Sequence, residues 1–236
     1  MSGLPGTRGR RRVYLMRHGE VSYVRPDGST VFSDVSLTPE GEQQALHMAG
    51  MLASVPFDLA VHTGKTRTRQ TAETVLQGRG VALMQITELE ELRGGSLEGI
   101  SPERIEAEFV YGMERAVLPG AGFPGGETFA DFERRVVPAF EALLRRPGWA
   151  TALVVAHGGT NAMLLSWVTR GGLAGMGAFE QDAGCVNIID ADVIDGEIVR
   201  RLVRAINVTP YNHAKLENYL TVTERIARER LARLDR

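Results

Sequence analysis

The chain has 236 residues, of which 43% are hydrophobic and 24% are charged, and 27 basic against 29 acidic residues give a net charge of −2. This length and composition are typical of one globular domain and exclude a wholly disordered chain. The balanced charge argues against a dedicated nucleic-acid-binding protein. No apolar run has the length of a membrane span, and a single cysteine excludes an intrachain disulfide framework and a multi-cysteine metal site.

The first twelve residues are rich in glycine and arginine and lack the apolar stretch of a secretory signal. We therefore predict a mobile basic tail over residues 1–12 and a cytoplasmic protein. Residues 13–236 show no internal repeat and no low-complexity segment, so we expect them to form a single domain.

Short apolar runs alternate with segments of helical periodicity along the chain. The apolar runs predict strands at residues 13–16, 59–61, 81–86, 152–156, 186–189 and 198–206. Apolar residues recurring every three or four positions predict helices at about residues 38–52, 66–76, 128–144, 158–167 and 213–234. Thr38 is expected to cap the first helix and Pro39 to begin it.

Strands that alternate with helices are typical of an α/β fold with a mainly parallel sheet. We predict a three-layer α/β/α sandwich in which the last two strands form an antiparallel hairpin at one edge. Residues 100–125 are irregular apart from one helix expected to begin at Ser101, and we predict that they form a small inserted lid. The glycine-rich residues 171–177 are expected to be a loop.

Polar residues follow the predicted strands at the points where they end. The first strand runs into Arg17 and His18, the second leads to Arg67, and the fourth ends at His157. Ligands of open α/β sheets bind beyond the carboxyl ends of the strands, so these side chains are expected to meet. The third strand adds three acidic residues, Glu88, Glu90 and Glu91.

This set of residue types suits phosphoryl transfer. A histidine can attack phosphorus, and arginine forks match phosphate oxygens and stabilise the charge that develops on them. A carboxyl group can protonate the leaving oxygen and then activate water. Because arginines neutralise the phosphate, no metal ion or cofactor is required. The residues therefore predict phosphomonoester chemistry through a phosphohistidine.

Several stretches of the chain resemble, in family order, the motifs of the histidine phosphatase superfamily, which includes the cofactor-dependent phosphoglycerate mutases. The first is LMRHGE at 15–20, and the others are LTPEG at 37–41, RTRQTA at 67–72, LEE at 89–91 with LEG at 97–99, PGGET at 124–128 and HGG at 157–159. The resemblance covers roughly residues 13–170 and is weaker beyond them.

The resemblance implies a role for each matching residue. His18 would be the phosphorylated nucleophile, Arg17 and Arg67 would hold the phosphoryl group, and His157 would complete the pocket. Glu91 would be the acid/base, because it stands eight residues before Gly99 as in the family; by inspection alone, Glu88 and Glu90 compete with it. The Gly158 N–H is expected to add an anion contact, and Glu20 to shape the rim of the substrate site.

The chain also departs from the family pattern. Val21 and Val24 stand where many members have threonine and asparagine, Thr63 replaces a usual serine, and Leu97 replaces an aromatic residue. Residues 100–125 lack the arginine pair and proline run that the resemblance associates with mutases. We therefore favour a phosphatase over the alternative of a phosphoglycerate mutase. A non-catalytic phosphate sensor is a second alternative, which would need a broken catalytic set.

The expected partner is a small phosphorylated substrate, with no nucleic acid and no membrane, and a homodimer remains open. Apolar residues in the loops expected to form the specificity wall, among them Val21, Val24, Phe109, Phe123 and Phe179, hint at a partly apolar leaving group. We interpret Cys185 as a buried strand residue, His47 and His62 as structural or exposed, and Glu127 as a charge at a helix start.

Overall fold

The computed structural model describes residues 9–23, 34–94, 100–123, 125–216 and 218–234, with the side chains of 233 and 234 left aside. In this part of the chain six strands form one sheet with the order β3-β2-β4-β1-β5-β6. The strands are β1 (Arg10–Arg17), β2 (Leu59–His62), β3 (Leu83–Gln85), β4 (Thr151–Ala156), β5 (Val186–Ile194) and β6 (Glu197–Val208). Strands β1 to β4 run parallel, and β5 and β6 form the antiparallel hairpin at one edge.

The helices are α1 (Pro39–Met51), α2 (Thr66–Val75), α3 (Phe129–Arg145), α4 (Gly158–Val168), the single turn α5 (Gly172–Gly175) and α6 (Val222–Leu234). Thr38 caps α1 by accepting the Gly41 N–H at 3.1 Å, and Pro39 is its first residue, as predicted. Thr128 caps α3 in the same way by accepting the Asp131 N–H. None of the helices in these described ranges has the length and apolar character of a membrane span.

Alternation along the central strands builds a core on each face of the sheet. Val13 and Leu15 of β1 join the cluster formed with α3 and α4, whereas Met16 joins the cluster formed with α1 and α2. Strand β4 divides its side chains in the same manner, because successive residues of a strand point to opposite faces. The architecture is therefore the expected three-layer α/β/α sandwich.

The first strand begins earlier than predicted. Residues Arg10 to Arg12 belong to β1, so this part of the predicted tail is wrong, while residues 1–8 lie outside the described residues. The cause is charge pairing across the sheet: Arg10 and Arg12 contact the buried carboxylates of Asp192 and Asp190 on β5, each at 2.7 Å.

The region proposed as a lid consists of short turns. The single helix expected from Ser101 is replaced by one-turn segments at Pro102–Arg104, Glu106–Val110 and Met113–Arg115. Its apolar side chains Ile105 and Phe109 pack against α6, so tertiary contacts and not helix propagation order this segment.

Two further predictions are wrong. The terminal helix begins at Val222, nine residues after the predicted start at His213, because Thr221 and Glu224 form a reciprocal capping box immediately before it. The stretch 171–177 is not a plain loop: it contains α5 and the turn Met176–Ala178, which fold against Ser166 of α4.

Candidate active site

The carboxyl ends of β1, β2 and β4 bring the predicted polar residues together. His18 follows β1, is 3% exposed, and donates its Nδ1–H to the carbonyl oxygen of Gly19 at 2.7 Å. Because Nδ1 carries the proton, Nε2 keeps its lone pair. Arg67 Nε donates to this Nε2 at 3.2 Å. In the ligand-free site, a guanidinium N–H therefore lies where an electrophile would approach the lone pair.

Arg67 lies in the first turn of α2 and bridges the two histidines. Besides its contact with His18, its Nη2 lies 3.4 Å from His157 Nδ1, and the two imidazole rings are 5.3 Å apart between centroids. Arg67 is 5% exposed. One buried guanidinium therefore contacts both imidazoles that a phosphoryl group would touch.

At this site, two buried guanidinium donors have no partner among the described residues: Arg17 Nε and Arg67 Nη1. Arg17 Nη1 donates to the carbonyl of Gln181, and its guanidinium lies beside Gly158, the first residue of α4. Buried N–H groups are nearly always satisfied, so a pair of unsatisfied cationic donors at a helix N-terminus indicates a binding site for an anion.

A chain of hydroxyl groups orients His157. Thr68 Oγ1 donates to the carbonyl of Lys65 at 2.8 Å, so the hydroxyl proton of Thr63 points to Thr68 Oγ1 at 3.1 Å. Thr63 Oγ1 must then accept the Nε2–H of His157, which lies 2.9 Å away. These hydrogen bonds leave Nδ1 of His157 as the acceptor that faces Arg67 Nη2; His157 is fully buried and is not among the described residues that line the cavity.

Both histidines are held neutral. Burial, followed by the charges of Arg17 and Arg67, lowers the pKa of His18 well below its usual value. Burial likewise lowers the pKa of His157, with His18 and Arg67 as the next causes. A neutral imidazole whose Nε2 is unprotonated, in a site that holds two guanidinium groups, has the properties of a nucleophile toward a phosphate ester.

Of the three acidic candidates, the structure places Glu91 at the site. Its Oε2 accepts the Gly159 N–H at 3.0 Å, at the start of α4. A Cβ on Gly159 would lie only 2.5 Å from Glu91 Oε1, so this glycine permits the approach. Glu90 lies 3.5 Å from Lys65, and the side chain of Glu88 is exposed.

Two other acidic residues form contacts that were not predicted from the sequence. Glu20 is not among the described residues that line the site: its N–H donates to Gln44, and its carbonyl accepts the Thr38 N–H, which anchors the loop to α1. Glu127 stands directly before Thr128, the N-cap of α3, as predicted, and it also forms an ion pair with Arg135 at 2.6 Å.

Other expectations agree with the structure. Cys185 is buried as expected, but it stands immediately before β5 and not within the strand; burial raises the pKa of its thiol to about 12, which disfavours the nucleophilic thiolate. His47 is exposed, and His62 Nδ1 accepts the Gly64 N–H. Residues 95–99 and Val24, which entered the sequence argument, lie outside the described residues.

Several residues that support the site were not predicted from the sequence. Thr71 Oγ1 accepts the Gly19 N–H at 3.1 Å, Gln181 accepts from Arg17, and Thr63 and Thr68 orient His157. The spacing of Thr68 and Thr71 around Arg67 on one helix face is a signal that could have identified two of them.

The side chains of Arg17, His18, Arg67 and Glu91 line a cavity of about 450 Å³. Its inner end contains Arg17, His18, Arg67, Glu91 and Gly158, and its outer part is lined by residues of the 100–123 segment, the loop before β5 and α6. This volume is within the range of small-molecule sites. Across the described ranges, no three His, Cys, Asp or Glu side chains are grouped so that they could hold a metal ion.

Residues 13–203 match the model of the histidine phosphatase superfamily, branch 1. A probable phosphoglycerate mutase, GpmB, from Salmonella choleraesuis is 31% identical over 160 residues, which are 66% of this chain and 74% of that protein.

Solved structures share the fold. The alpha-ribazole phosphatase from Shigella flexneri superposes with a TM-score of 0.66 at 26% identity and covers 84% of this chain and 96% of its own. A mycobacterial glucosyl-3-phosphoglycerate phosphatase gives a TM-score of 0.70 at 24% identity, over 85% of this chain and 100% of its own, a likeness that concerns the fold alone.

Proposed function

Since the chain belongs to the histidine phosphatase superfamily, we propose that it is a phosphomonoester hydrolase that acts on a small phosphorylated metabolite through a phosphohistidine, without metal ion or cofactor. The arrangement of His18 carries the proposal: its Nε2 lone pair faces Arg67, and the neighbouring donors Arg17 Nε and Arg67 Nη1 have no protein partner among the described residues. A phosphoryl group would supply the missing acceptors.

In the first step, His18 Nε2 attacks phosphorus as the bond between phosphorus and the ester oxygen breaks. The protonated carboxyl group of Glu91 gives its proton to the departing oxygen, so the alcohol leaves neutral. Arg17 and Arg67 stabilise the charge on the three remaining oxygens; Arg67 Nε, which donates to Nε2 in the ligand-free site, turns to a phosphoryl oxygen when phosphorus takes its place.

In the second step, water attacks the phosphorus of phosphohistidine from the face that the alcohol has left. Glu91, now a carboxylate, takes a proton from this water as the bond between phosphorus and Nε2 breaks. The lone pair returns to His18, and inorganic phosphate leaves. The two steps sum to ester plus water giving alcohol plus phosphate, and Glu91 recovers its proton.

The second candidate is a phosphoglycerate mutase, which the name of the Salmonella relative favours. That reaction needs a phosphohistidine that survives until a second substrate oxygen takes the phosphoryl group. The two arginines of segment 100–125 offer little help: Arg104 pairs with Glu108 on the surface, and neither it nor Arg115 is among the described cavity-lining residues. We therefore favour hydrolysis.

The proposal is tested by phosphate release from p-nitrophenyl phosphate with and without EDTA. Wild type and the control His47→Ala, which removes an exposed histidine of α1, are expected to be active under both conditions. His18→Ala should lose about 10³-fold or more in kcat. Activity abolished by EDTA, or retained by His18→Ala, would overturn the proposal. Isomerisation of 3-phosphoglycerate in the presence of 2,3-bisphosphoglycerate, faster than its hydrolysis, would establish the mutase instead.

A further inference from the structure

Beyond the phosphoryl site the cavity continues into an outer pocket with many apolar lining residues. We define the outer pocket by six side chains that line it: Leu92, Phe109, Met113, Phe123, Phe179 and Ile226. They come from the loop after β3, the 100–123 segment, the loop before β5, and α6. The leaving group of an ester whose phosphorus meets His18 has to occupy this space.

The aromatic wall of the outer pocket is held in place by packing. The rings of Phe109 and Phe123 are 5.2 Å apart between centroids, and Phe123 meets Phe129 of α3 edge-on at 5.6 Å. A Cβ on Gly112 would lie 2.6 Å from the Phe123 ring, so this glycine leaves room for it. Phe109 also packs against Ala227 of α6. The apolar surface is therefore preformed and not a product of ligand binding.

The charges around the outer pocket are mostly negative. Outside the phosphoryl site, its lining includes four carboxylates and two cationic side chains; the carboxylates are Glu90, Glu114, Glu180 and Glu224. Of the two cations, Lys65 lies 3.5 Å from Glu90. The other, Arg93, interacts with Glu127: together with the larger effect of Arg135, it lowers the pKa of the Glu127 carboxyl group against the opposing effect of burial. A second anionic group on the substrate would meet repulsion here.

We propose that this enzyme is specific for monoesters of a bulky, ring-bearing apolar alcohol that carries no second negative charge. This proposal rests on the proposed function. The ring would be buried against Phe109, Phe123 and Phe179, which releases water from apolar surface on both partners. The same pocket discriminates against small polar or carboxylated esters such as phosphoglycerates, because these bury little apolar area and bring a carboxylate among carboxylates.

Three alkyl phosphates test this specificity without changing the chemistry of the leaving oxygen. They are 2-(1-naphthyl)ethyl phosphate, glycerol 3-phosphate and 3-phosphoglycerate. Because the naphthyl group is buried in the outer pocket, we expect kcat/KM for the naphthyl ester to exceed kcat/KM for glycerol 3-phosphate by a factor of about 10 to 100. 3-Phosphoglycerate is expected to be the poorest of the three.

Two variants divide the apolar from the electrostatic contribution. Phe179→Ala should reduce the ratio of kcat/KM for the naphthyl ester to kcat/KM for glycerol 3-phosphate about fivefold or more, whereas Tyr219→Ala, which removes a 90% exposed ring, should leave this ratio unchanged. Glu180→Gln should raise the ratio of kcat/KM for 3-phosphoglycerate to kcat/KM for the naphthyl ester about fivefold, and Glu40→Gln, at an exposed position, is the control that should leave this ratio unchanged.

A binding measurement separates this inference from the proposed function. Titration calorimetry with His18→Ala, which cannot form the phosphoenzyme, compares the Kd of the naphthyl ester with that of glycerol 3-phosphate. Tighter binding of the naphthyl ester by about tenfold or more supports the outer pocket even if wild type shows no turnover, in which case only the proposed function fails. Equal or weaker binding overturns the inference, whether or not wild type hydrolyses p-nitrophenyl phosphate.

Discussion

Arg67→Met should stabilise the protein and abolish its activity. The guanidinium of Arg67 is 5% exposed, has no carboxylate within 4 Å among the described residues, and keeps one buried N–H without an acceptor. It also lies in a site that holds a second buried cation, Arg17. Methionine fills similar space without charge, so the ligand-free protein no longer has to desolvate this group.

The expected gain follows from two opposing contributions. A buried, unsatisfied charged donor costs about 1–3 kcal/mol or more, whereas the bonds from Arg67 to His18 and His157 are long, at 3.2 and 3.4 Å, and offset only part of this cost. We therefore expect the free energy of unfolding to rise by about 1–3 kcal/mol, or Tm by roughly 2–12 °C for a chain of this size. The loss of transition-state donors should lower kcat/KM by about 10³-fold or more.

Thermal unfolding with and without inorganic phosphate measures both effects. Phosphate at about 100 times its Kd should stabilise wild type by about 2.7 kcal/mol and leave Arg67→Met unchanged. Arg69→Met is the matched control, because Arg69 is half exposed on the same helix and pairs with Glu73; its effect should stay within about 0.5 kcal/mol. A variant destabilised by more than about 1 kcal/mol would refute the reasoning, since the contacts to the histidines would then outweigh the burial of the charge.

Three further predictions concern the other groups of the site. Glu91→Gln should give a burst of one equivalent of p-nitrophenol followed by turnover slowed about 10²- to 10⁴-fold in stopped-flow absorbance, because water attack loses its base; unchanged turnover would contradict this role. Thr63→Val should lower kcat/KM about tenfold, because His157 loses the acceptor that orients its ring, and Thr63→Ser should restore it; equal defects in both variants would point to packing instead. Burial lowers the pKa values of His18 and His157 in the folded protein below the 6.5 of the unfolded chain. Their contribution to the free energy of unfolding is therefore complete above pH 6.5. It is lost as the pH falls toward the folded pKa values, by up to about 1.4 kcal/mol per pH unit for each histidine. Urea unfolding between pH 6.5 and 5 should show this slope, reduced by about half in His18→Gln; an equal slope in that variant would contradict the assignment.

The α/β framework could be predicted because each central strand carries its own signal. Val13 and Leu15 alternate with residues that face the opposite core, and this apolar run gives way to polar residues at Arg17, where the strand ends. Since parallel strands place their carboxyl ends at one edge, the meeting of His18 with His157 follows from the order of the elements.

The peripheral elements were harder to predict because contacts distant in sequence decide them. The start of α6 depends on the capping box of Thr221 and Glu224, whereas the apolar periodicity extends further back. The extension of β1 to Arg10 depends on carboxylates about 180 residues away, which no local pattern reveals.

The site itself was predicted to the level of residue type but not of detailed contact. The family spacing before Gly99 indicated Glu91, whereas residue types alone left Glu88 and Glu90 as competitors; in the structure, Glu91 is distinguished by its contact with Gly159 at the start of α4. Of the apolar residues expected to contact the leaving group, Phe109, Phe123 and Phe179 line the cavity.

The most direct test of the account is the location of the phosphoryl group during turnover. Glu91→Gln, mixed with p-nitrophenyl phosphate, quenched in alkali within the burst phase and digested, would be analysed by mass spectrometry. The account predicts close to one phosphate per chain, carried by His18 and absent when His18→Ala is added to the same variant. Phosphate on another residue, or a burst without any phosphorylated histidine, would contradict it.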